Sequence, residues 1–342
     1  MLRPTIQDVA RHAGVSVATV DRVLNARGGV AAKSLAKVTE AIGALGYERD
    51  LAAAALSTRR SDRFVFLLPQ GPNAFVSALR AAVAAEAPAA RRRRQALEVV
   101  EVPAFSARSL GAALDALDPA EVTGLAVFGA EGIEVSRAIG RHRAAGVAVT
   151  TLVSDLSPDH RDAYVGIDNE AAGRTAARFV GRFLGPGAAD VMVVLGSVTA
   201  RDHVDRRLGF DRVMRADFPD LTVGASAEGR DDADLVEAIV RGALDGVRPP
   251  AAIYAAAAGN RGLIAALADA PDRPVTVVHE LTDHSRRALE DGLIDLVIDQ
   301  NPVQEVRTAI AALTALAEGR PVPPVRLNLD IYVRDNLPAL AA

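Results

Sequence analysis

Residues 5–25, TIQDVARHAGVSVATVDRVLN, predict two short helices joined by a tight turn. Four apolar residues recur at positions i, i+3, i+4 and i+7, on one face of a first helix: Ile6, Val9, Ala10 and Ala13. Gly14 can enter the left-handed region that ends a helix, and Ser16 can cap the next one. The second helix is carried by Ala18, Val20, Val23 and Leu24. This pattern predicts a helix-turn-helix, whose second helix can enter a DNA major groove; an ordinary pair of packed helices is the alternative.

A third helix and a short linking segment follow this motif. The third helix is predicted over residues 32–45 and ends at Gly46. Its inner face is formed by Val38, Ile42 and Leu45. The next segment, DLAAAALSTRRS (residues 50–61), is rich in alanine, and Asp50 is a candidate N-cap. Because an isolated helix this short is marginal in water, we expect it to be ordered only on DNA; a plain linker is the alternative.

These residues resemble the lactose-repressor (LacI-type) family of bacterial transcription regulators. The resemblance rests on residues 5–25, Gly29–Val30, Leu45–Tyr47 and Ala54–Leu56 before the basic pair Arg59–Arg60. It covers the whole chain, strongly through residue 60 and more loosely beyond. It implies a cytoplasmic homodimer that binds pseudo-palindromic operator DNA, with a periplasmic-sugar-binding-protein-like ligand domain. A small sugar or polyol is the effector that the resemblance implies, and repression is the expected sign of regulation.

Composition excludes several classes of protein. The chain has 342 residues, 50% hydrophobic and 24% charged, which is typical of a globular protein with more than one core. It has no cysteine, so disulfides and thiolate sites are excluded. No run approaches the 18 apolar residues of a membrane span, and the first residues predict no secretory signal. A transport receptor is therefore disfavoured.

The charge is distributed unevenly along the chain. The net charge is −4, yet residues 1–60 contain nine basic and five acidic side chains. Residues 1–60 therefore carry four excess positive charges, and the rest of the chain carries eight excess negative ones. A basic head on an acidic body fits a head that contacts phosphates and a body that is held away from them.

Strands and helices alternate after residue 61. Apolar runs predict strands at residues 63–69, 96–102, 124–129, 147–153, 163–168, 190–196, 221–229, 251–257, 275–281, 295–300 and 326–333. Helical patterns lie between most of them, which is typical of parallel sheets covered on both faces. The predicted fold is α/β, with an all-α N-terminal helix-turn-helix head and two doubly wound parallel α/β lobes.

The predicted boundaries follow from these patterns and from the resemblance. The head is residues 1–49 and the hinge helix or linker is residues 50–61. Residues 62–342 form the ligand-binding and dimerisation domain, in which the family has three crossovers between lobes, here near Asp168, Gln300 and Leu327. Lobe one then comprises about residues 62–167 and 301–327, and lobe two about residues 168–300 and 328–342.

The residues expected to contact DNA lie in the head and the hinge. Val17, Ala18 and Arg22 match the family's base-reading positions, and Arg22 can donate a bidentate pair to guanine. Short polar groups suited to phosphates are Thr5, Ser16, Thr19 and Asn25. Leu56 matches the leucine that wedges into a minor-groove step. Asp21 departs from the serine that is commoner in the family, so its role is open.

The ligand site is expected just beyond the carboxyl ends of the strands, between the lobes. The candidates in lobe one are Asn73, Phe75 and Asp155. The candidates in lobe two are Arg206, Asn260, Glu280 and Gln300. Arg206 stands three residues before Gly209, as in the family's RxxG ligand-binding arginine. Amides and carboxylates with one arginine and one aromatic ring suit a neutral polyhydroxylated ligand, because a phosphate would require more cationic donors.

Other motifs predict neither a cofactor nor a metal site. No GxGxxG or GxxxxGK[ST] loop occurs, and the two histidines of HELTDH (residues 279–284) have the wrong spacing for HExxH. The run Arg91–Arg94 is expected to be a solvated corner. Residues 334–342 are too few for a tetramerising heptad coil, so a dimer is predicted. An enzyme that transforms sugars, with Asp155 and Glu280 as acid and base, and a non-allosteric DNA-binding protein are the alternatives.

Overall fold

The N-terminal unit is a three-helix head with its own small core. The computed structural model describes residues 4–24, 30–45 and 61–339. The chain divides into two units, Met1–Ser61 and Asp62–Ala342. In the first unit, α1 (Ile6–Ala13), α2 (Val17–Leu24) and α3 (Ala32–Leu45) follow in order. They bury Val9, Ala10, Ala13, Val20, Val38 and Ala41. The predicted helical pattern of the head is confirmed. Two predicted DNA contacts, Asn25 and Leu56, lie outside the described residues. The same holds for the predicted hinge helix (residues 50–61) except Ser61.

Polar residues fix the ends of the two short helices. Thr5 and Asp8 form a capping box at the start of α1. Gly14 ends α1 with a φ of 62°, a left-handed conformation that glycine adopts without steric strain. The hydroxyl oxygen of Ser16 accepts from the backbone N–H of Thr19 at 3.1 Å and so caps α2. The turn between the helices is therefore determined by local chemistry.

The second unit contains two sheets, and the first is entirely parallel. Its strands are β1 (Asp62–Pro69), β2 (Gln95–Val102), β3 (Gly124–Val127), β4 (Ala148–Leu152) and β5 (Ala163–Val165). They lie in the order β2-β1-β3-β4-β5. Helices α4 (Ala74–Arg92), α5 (Ala107–Ala116) and α6 (Ile133–Ala144) connect the first four strands. Residues 64–68 of β1 are all buried because helices cover both faces of the sheet. This sheet and its helices are lobe one.

The second sheet has six strands and one antiparallel edge. Its strands are β6 (Ala189–Leu195), β7 (Leu221–Glu228), β8 (Ala252–Ala255), β9 (Val275–His279), β10 (Leu296–Asp299) and β11 (Asp330–Tyr332). The order is β11-β10-β9-β8-β6-β7, and only β11 is antiparallel to its neighbour. The helices of this lobe are α7 (Asn169–Leu184), α8 (Arg201–Asp217), α9 (Ala233–Leu244), α10 (Asn260–Ala268) and α11 (Asp283–Glu290). This sheet and its helices are lobe two.

The chain passes between the lobes three times. It leaves lobe one between β5 and α7, and it returns after β10 to form α12 (Pro302–Ala317). That helix packs into the core of lobe one through Val306, Ala309, Ile310 and Leu313. The third passage leads from α12 to β11 in lobe two. Three segments of the chain therefore connect the two lobes.

Three observed elements differ from what the sequence predicts. The strand expected over residues 326–333 is limited to β11 (Asp330–Tyr332) and is antiparallel. The helix α11 (Asp283–Glu290) was not predicted, because its sequence DHSRRALE has few apolar residues. The sequence pattern predicts a helix over residues 75–87, whereas α4 continues through Pro88 to Arg92. The run Arg91–Arg94 is exposed, as expected of a solvated corner.

Two glycines bring α7 and α8 into backbone contact. A Cβ added to Gly173 would lie 1.9 Å from the carbonyl oxygen of Arg206, and one added to Gly209 would lie 2.0 Å from that of Glu170. Only residues without a side chain allow this approach. The glycine of the RxxG pattern is therefore a packing residue in the contact between α7 and α8.

Candidate functional site

The second helix of the head presents a mixed surface to solvent. Val17 is 43% exposed, and Ala18 and Arg22 are exposed as well, whereas Val20 is completely buried. The predicted base-reading residues therefore share the solvent side of α2. The predicted phosphate contacts Thr5, Ser16 and Thr19 all take part in helix caps.

A cavity of about 350 Å³ lies between the carboxyl ends of the two sheets. Five of the seven predicted ligand-binding residues line it: Asn73, Phe75, Arg206, Glu280 and Gln300. Ligands of doubly wound sheets bind outside the carboxyl ends of strands, which is where this cavity opens. Its volume falls in the range of about 300–1,000 Å³ that is common for small-molecule sites.

Arg206 is the central cation of the cavity. Its side chain is 2% exposed. The Nε atom donates to Oδ1 of Asn169 at 2.8 Å, and Nη1 donates to the carbonyl oxygen of Ala256 at 2.9 Å. The remaining nitrogen, Nη2, is buried and has no partner. A buried donor without a partner is unfavourable by about 1–3 kcal/mol, so this nitrogen is suited to bind a ligand oxygen.

Three buried side chains near Arg206 have unpaired oxygen atoms. These atoms are Oδ1 of Asp202, Oε2 of Glu280 and Oε1 of Gln300. The amide of Gln300 donates to Oε1 of Glu280 at 2.5 Å, which fixes both side chains. Burial and the nearby carboxyl of Asp299 raise the pKa of Glu280 well above its ordinary value. Burial alone would raise the pKa of Asp202, but His203 and Arg206 lower it below its ordinary value.

Side chains from the two lobes meet at the cavity. The amide of Asn73 in lobe one donates to Oδ2 of Asp231 in lobe two at 2.8 Å. Arg201 of α8 and Glu131, which follows β3, form a second pair at 3.3 Å. Both contacts bridge the lobes beside the cavity, and the second, about half exposed, contributes little to stability.

Unusual backbone conformations concentrate at the strand ends around the cavity. Among the described residues, seven non-glycine residues have a positive φ. All but Arg94 follow a strand on this side: Phe105, Val153, Arg230, Asp231, Glu280 and Asn301. Such conformations cost about 1–3 kcal/mol each and cluster at functional sites. This clustering independently marks the strand ends as a functional region.

Two of the predicted ligand residues lie outside this cavity. Asn260 donates to the carbonyl oxygen of His279 at 2.8 Å and lines a smaller adjoining pocket of about 130 Å³. Asp155 lines a separate surface depression and is held by a bidentate pair with Arg161, at 2.6 and 2.7 Å. Asp155 and Glu280, the acid and base of the enzyme alternative, are therefore not brought together in one cavity.

Comparison with protein families identifies both units. Residues 5–50 match the model of the bacterial regulatory proteins of the lacI family. Residues 64–321, about three quarters of the chain, match the periplasmic binding protein domain. The chain belongs to the lacI family and carries a periplasmic binding protein domain. The predicted relationship to lactose-repressor-type regulators is thereby confirmed, as is the fold.

Two relatives match the chain over about a fifth of its length. The HTH-type transcriptional regulator RegA of Clostridium saccharobutylicum is 46% identical over 71 residues, 21% of each chain. The regulator GalS of Salmonella typhimurium is 46% identical over 79 residues, 23% of each chain. The matches thus span about a fifth of the length of these relatives.

The fold of the second unit recurs in solved structures of solute-binding proteins. One is an ABC transporter solute-binding protein of Burkholderia graminis in complex with D-arabinose, with a TM-score of 0.73 and 22% identity. The alignment covers 81% of this chain and 96% of that one. At this identity the similarity shows the fold alone.

Several residues that line the cavity were not predicted from the sequence. They are Phe105, Phe128, Glu131, Asp202, His203 and Asp231. All follow strands on the same side of the two sheets, so the strand-end rule, applied to β2, β3, β6 and β7, would have found them. The sequence pattern predicts a helix over residues 204–216, which leaves out Asp202 and His203, whereas α8 begins at Arg201 and includes both.

The described residues contain no group of three or more histidine, cysteine or acidic side chains arranged to hold a metal ion. Among the same residues, no helix combines the length and the apolar character needed to cross a bilayer.

Proposed function

We propose that this chain is a sequence-specific transcription regulator whose affinity for operator DNA is controlled by a small sugar- or polyol-like effector. The observation that carries the proposal is the set of buried, unpaired polar atoms around Arg206 in a cavity between two lobes. Buried polar groups in native proteins are normally satisfied, so their presence here favours a ligand that supplies the missing partners.

The head supports the DNA-binding part of the proposal. Arg22 is an exposed arginine on the second helix of a helix-turn-helix, and Val17 and Ala18 can contact thymine methyl groups beside it. Asn25 binds phosphate, and Leu56 of each subunit wedges into the minor groove in the proposed complex. The protein acts in the cytoplasm as a homodimer on a pseudo-palindromic operator. Light scattering should therefore give two chains per particle, and four would contradict this assignment.

The chemistry of the cavity supports a neutral hydroxylated effector. One unpaired nitrogen and three unpaired oxygens can together bind hydroxyl groups, which both donate and accept. D-arabinose, the ligand of the structurally similar protein from Burkholderia graminis, belongs to this class. A phosphorylated ligand is disfavoured because the buried groups at the polar side include two carboxyls and one arginine.

Effector and DNA are proposed to oppose each other. Ligand bound between the lobes changes their relative orientation, and lobe one is continuous in sequence with the hinge segment 50–61. Linkage then requires that the effector and the operator weaken each other by the same factor, commonly about 5–150-fold. A ligand that tightens DNA binding would reverse the sign and make the effector a co-repressor.

The test begins by selecting an operator from random DNA with the full-length protein. Operator affinity is then measured by fluorescence anisotropy in the presence of individual pentoses, hexoses and polyols, starting with D-arabinose. At least one sugar should change the affinity about 5-fold or more. If sugars raise the melting temperature but leave operator affinity unchanged, the protein is a DNA-binding protein without allosteric control. Chemical turnover of a bound sugar, followed by chromatography, would favour the enzyme alternative.

A further inference from the structure

The run Arg91–Arg94 is a local positive patch on an acidic unit. It is the longest uninterrupted run of basic residues in the chain, and all four residues are exposed. Arg91 and Arg92 belong to the last turn of α4, and Arg93 is its C-cap residue. The rest of the chain beyond residue 60 carries eight excess negative charges. Neighbouring like charges repel one another, so four adjacent arginines are unfavourable unless an anion is bound beside them.

The arginines of this run are not neutralised by nearby acids. Within the described residues, the guanidinium groups of Arg91 and Arg92 make no hydrogen bond and no ion pair. The Nε atom of Arg93 donates to the neutral side chain of Gln95 at 3.2 Å. Acids on α4 and on the adjoining strand β2 are paired with other arginines: Glu86 with Arg307 at 2.6 Å, and Glu98 with Arg63 at 2.7 Å. The positive charge of the patch is therefore available to an external anion.

The patch adjoins the point where the chain enters the second unit. The backbone N–H of Asp62 donates to the carbonyl oxygen of Arg94 at 2.9 Å. Asp62 also lies opposite Gln95 in the register of β1 and β2. Residue 62 directly follows the hinge segment 50–61, whose last residues include a further basic pair. The longest basic run of the chain is thus held beside the segment that leads from the DNA-binding head.

The length of the hinge segment limits how far the patch can be from bound DNA. Segment 50–61 spans at most about 40 Å when fully extended, and about 18 Å as a helix. Double-stranded DNA carries a negative charge about every 1.7 Å along its axis, so a duplex held by the head offers phosphates over its entire length. The covalent chain therefore keeps the patch close to a dense array of anions.

We propose that Arg91–Arg94 form a second DNA-contacting surface, which binds backbone phosphates of the duplex that the head recognises. This inference rests on the proposed function and adds to it a contact outside the head and the hinge. Guanidinium groups bind phosphate oxygens through paired hydrogen bonds. Stabilisation of the dipole of α4 accounts for one or two cations in its last turn, but not for four consecutive arginines. Phosphate contacts carry no sequence information, so this surface adds affinity and salt dependence to binding.

The test uses the full-length protein, its selected operator and a random duplex of the same length. Affinities are measured by fluorescence anisotropy at a series of potassium chloride concentrations. The double variant Arg91→Gln/Arg92→Gln should weaken binding to both duplexes by the same factor, about 5–50-fold at low salt. The plot of log affinity against log salt should become less steep by about 1 for each phosphate contact that is lost. The fold-change that an effector causes in operator affinity should remain as in the wild type.

Two comparisons separate phosphate binding from a structural role. Arg91→Lys/Arg92→Lys retains both charges and should keep most of the salt dependence. Arg182→Gln is the matched control for Arg92→Gln, because Arg182 is also an exposed arginine in the last turn of a long helix, α7 in lobe two. Within the described residues its side chain has no partner either. The two glutamine variants should lower the melting temperature equally, and only Arg92→Gln should change the salt dependence.

The outcomes distinguish this inference from the function on which it rests. Unchanged affinity and salt dependence in the double glutamine variant would overturn the second surface and leave the DNA-binding regulator intact. Equal losses in Arg182→Gln and Arg92→Gln would show an effect of net charge and overturn it as well. So would a lysine variant that loses as much salt dependence as the glutamine variant. Absence of binding to any duplex by the wild type would overturn both.

Discussion

Replacement of Arg206 by lysine tests whether this side chain binds the effector or only supports the fold. Its guanidinium holds Asn169 at 2.8 Å and the Ala256 carbonyl at 2.9 Å, and leaves Nη2 unpaired. Lysine retains the positive charge beside Asp202 and Glu280. A single ammonium cannot reproduce the planar fork that reaches two protein partners and a ligand oxygen together. Arg206→Lys should therefore lose the ligand contact while keeping the local charge balance.

The expected magnitude follows from the lost hydrogen bond. A hydrogen bond to a charged group contributes about 1.5–3 kcal/mol, which corresponds to effector affinity weaker by about 10–150-fold. Operator affinity without ligand should be unchanged, because residue 206 belongs to the ligand-binding unit. The melting temperature should also fall, since one of the two protein acceptors loses its donor.

Arg207 on the same helix provides the control. Its guanidinium makes three hydrogen bonds within the protein, to Asp211 at 2.8 Å, Ser226 at 2.6 Å and the Gly224 carbonyl at 2.9 Å, but it does not line the cavity. Arg207→Lys should cost a similar amount of stability and leave effector affinity intact. Both variants are measured by calorimetric titration and thermal unfolding. If they weaken the effector equally, the assignment of Arg206 as a ligand-binding residue is wrong.

Three further predictions concern packing, pH and DNA. Gly209→Ala should destabilise the protein by about 1–3 kcal/mol in urea unfolding, because the new Cβ would lie 2.0 Å from the Glu170 carbonyl; Gly242→Ala, with no atom within 4 Å, should not destabilise it. Burial raises the pKa of Glu305 well above its ordinary value of 4.5, so the folded state retains a proton that the unfolded chain releases. Stability should therefore fall as pH rises above 4.5 and through the pKa of Glu305 in the folded state. Glu305→Gln should flatten this pH dependence in thermal melts. The same pH dependence in the wild type and the variant would refute the prediction. Arg22→Ala should weaken operator binding far more than binding to random DNA, and equal losses in a gel-shift assay would make Arg22 a phosphate contact.

The geometry of the cavity explains why placing ligand-binding residues at the carboxyl ends of strands located some of the cavity-lining residues and not others. Arg206, Glu280 and Gln300 belong to helix α8 and to the ends of β9 and β10, and parallel strands present their carboxyl ends at one edge. Alternation of strands and helices therefore predicted their common location. The same rule selected Asp155, which follows β4, but this carboxylate turns away to its bidentate partner Arg161.

Some residues line the cavity although the sequence did not predict them, and this too has a physical cause. Asp202 and His203 occupy the first turn of α8, a position at which the apolar periodicity is weak. Asp231 enters the cavity from the turn after β7, where its φ is 57°. Its contact with Asn73 joins residues 158 positions apart. Partners so distant in the chain are not visible in local patterns.

The sequence by itself determined the elements of local origin. The helix-turn-helix follows from apolar spacing, the left-handed Gly14 and the cap at Ser16, all of which act within a few residues. The tertiary structure alone decided which strand-end side chains face the cavity, and that its lobe-one wall is apolar while its lobe-two wall carries unpaired polar atoms. The reason is that periodicity and capping act within a turn or two of chain, whereas burial and hydrogen-bond partnership depend on residues that only the folded lobes bring together.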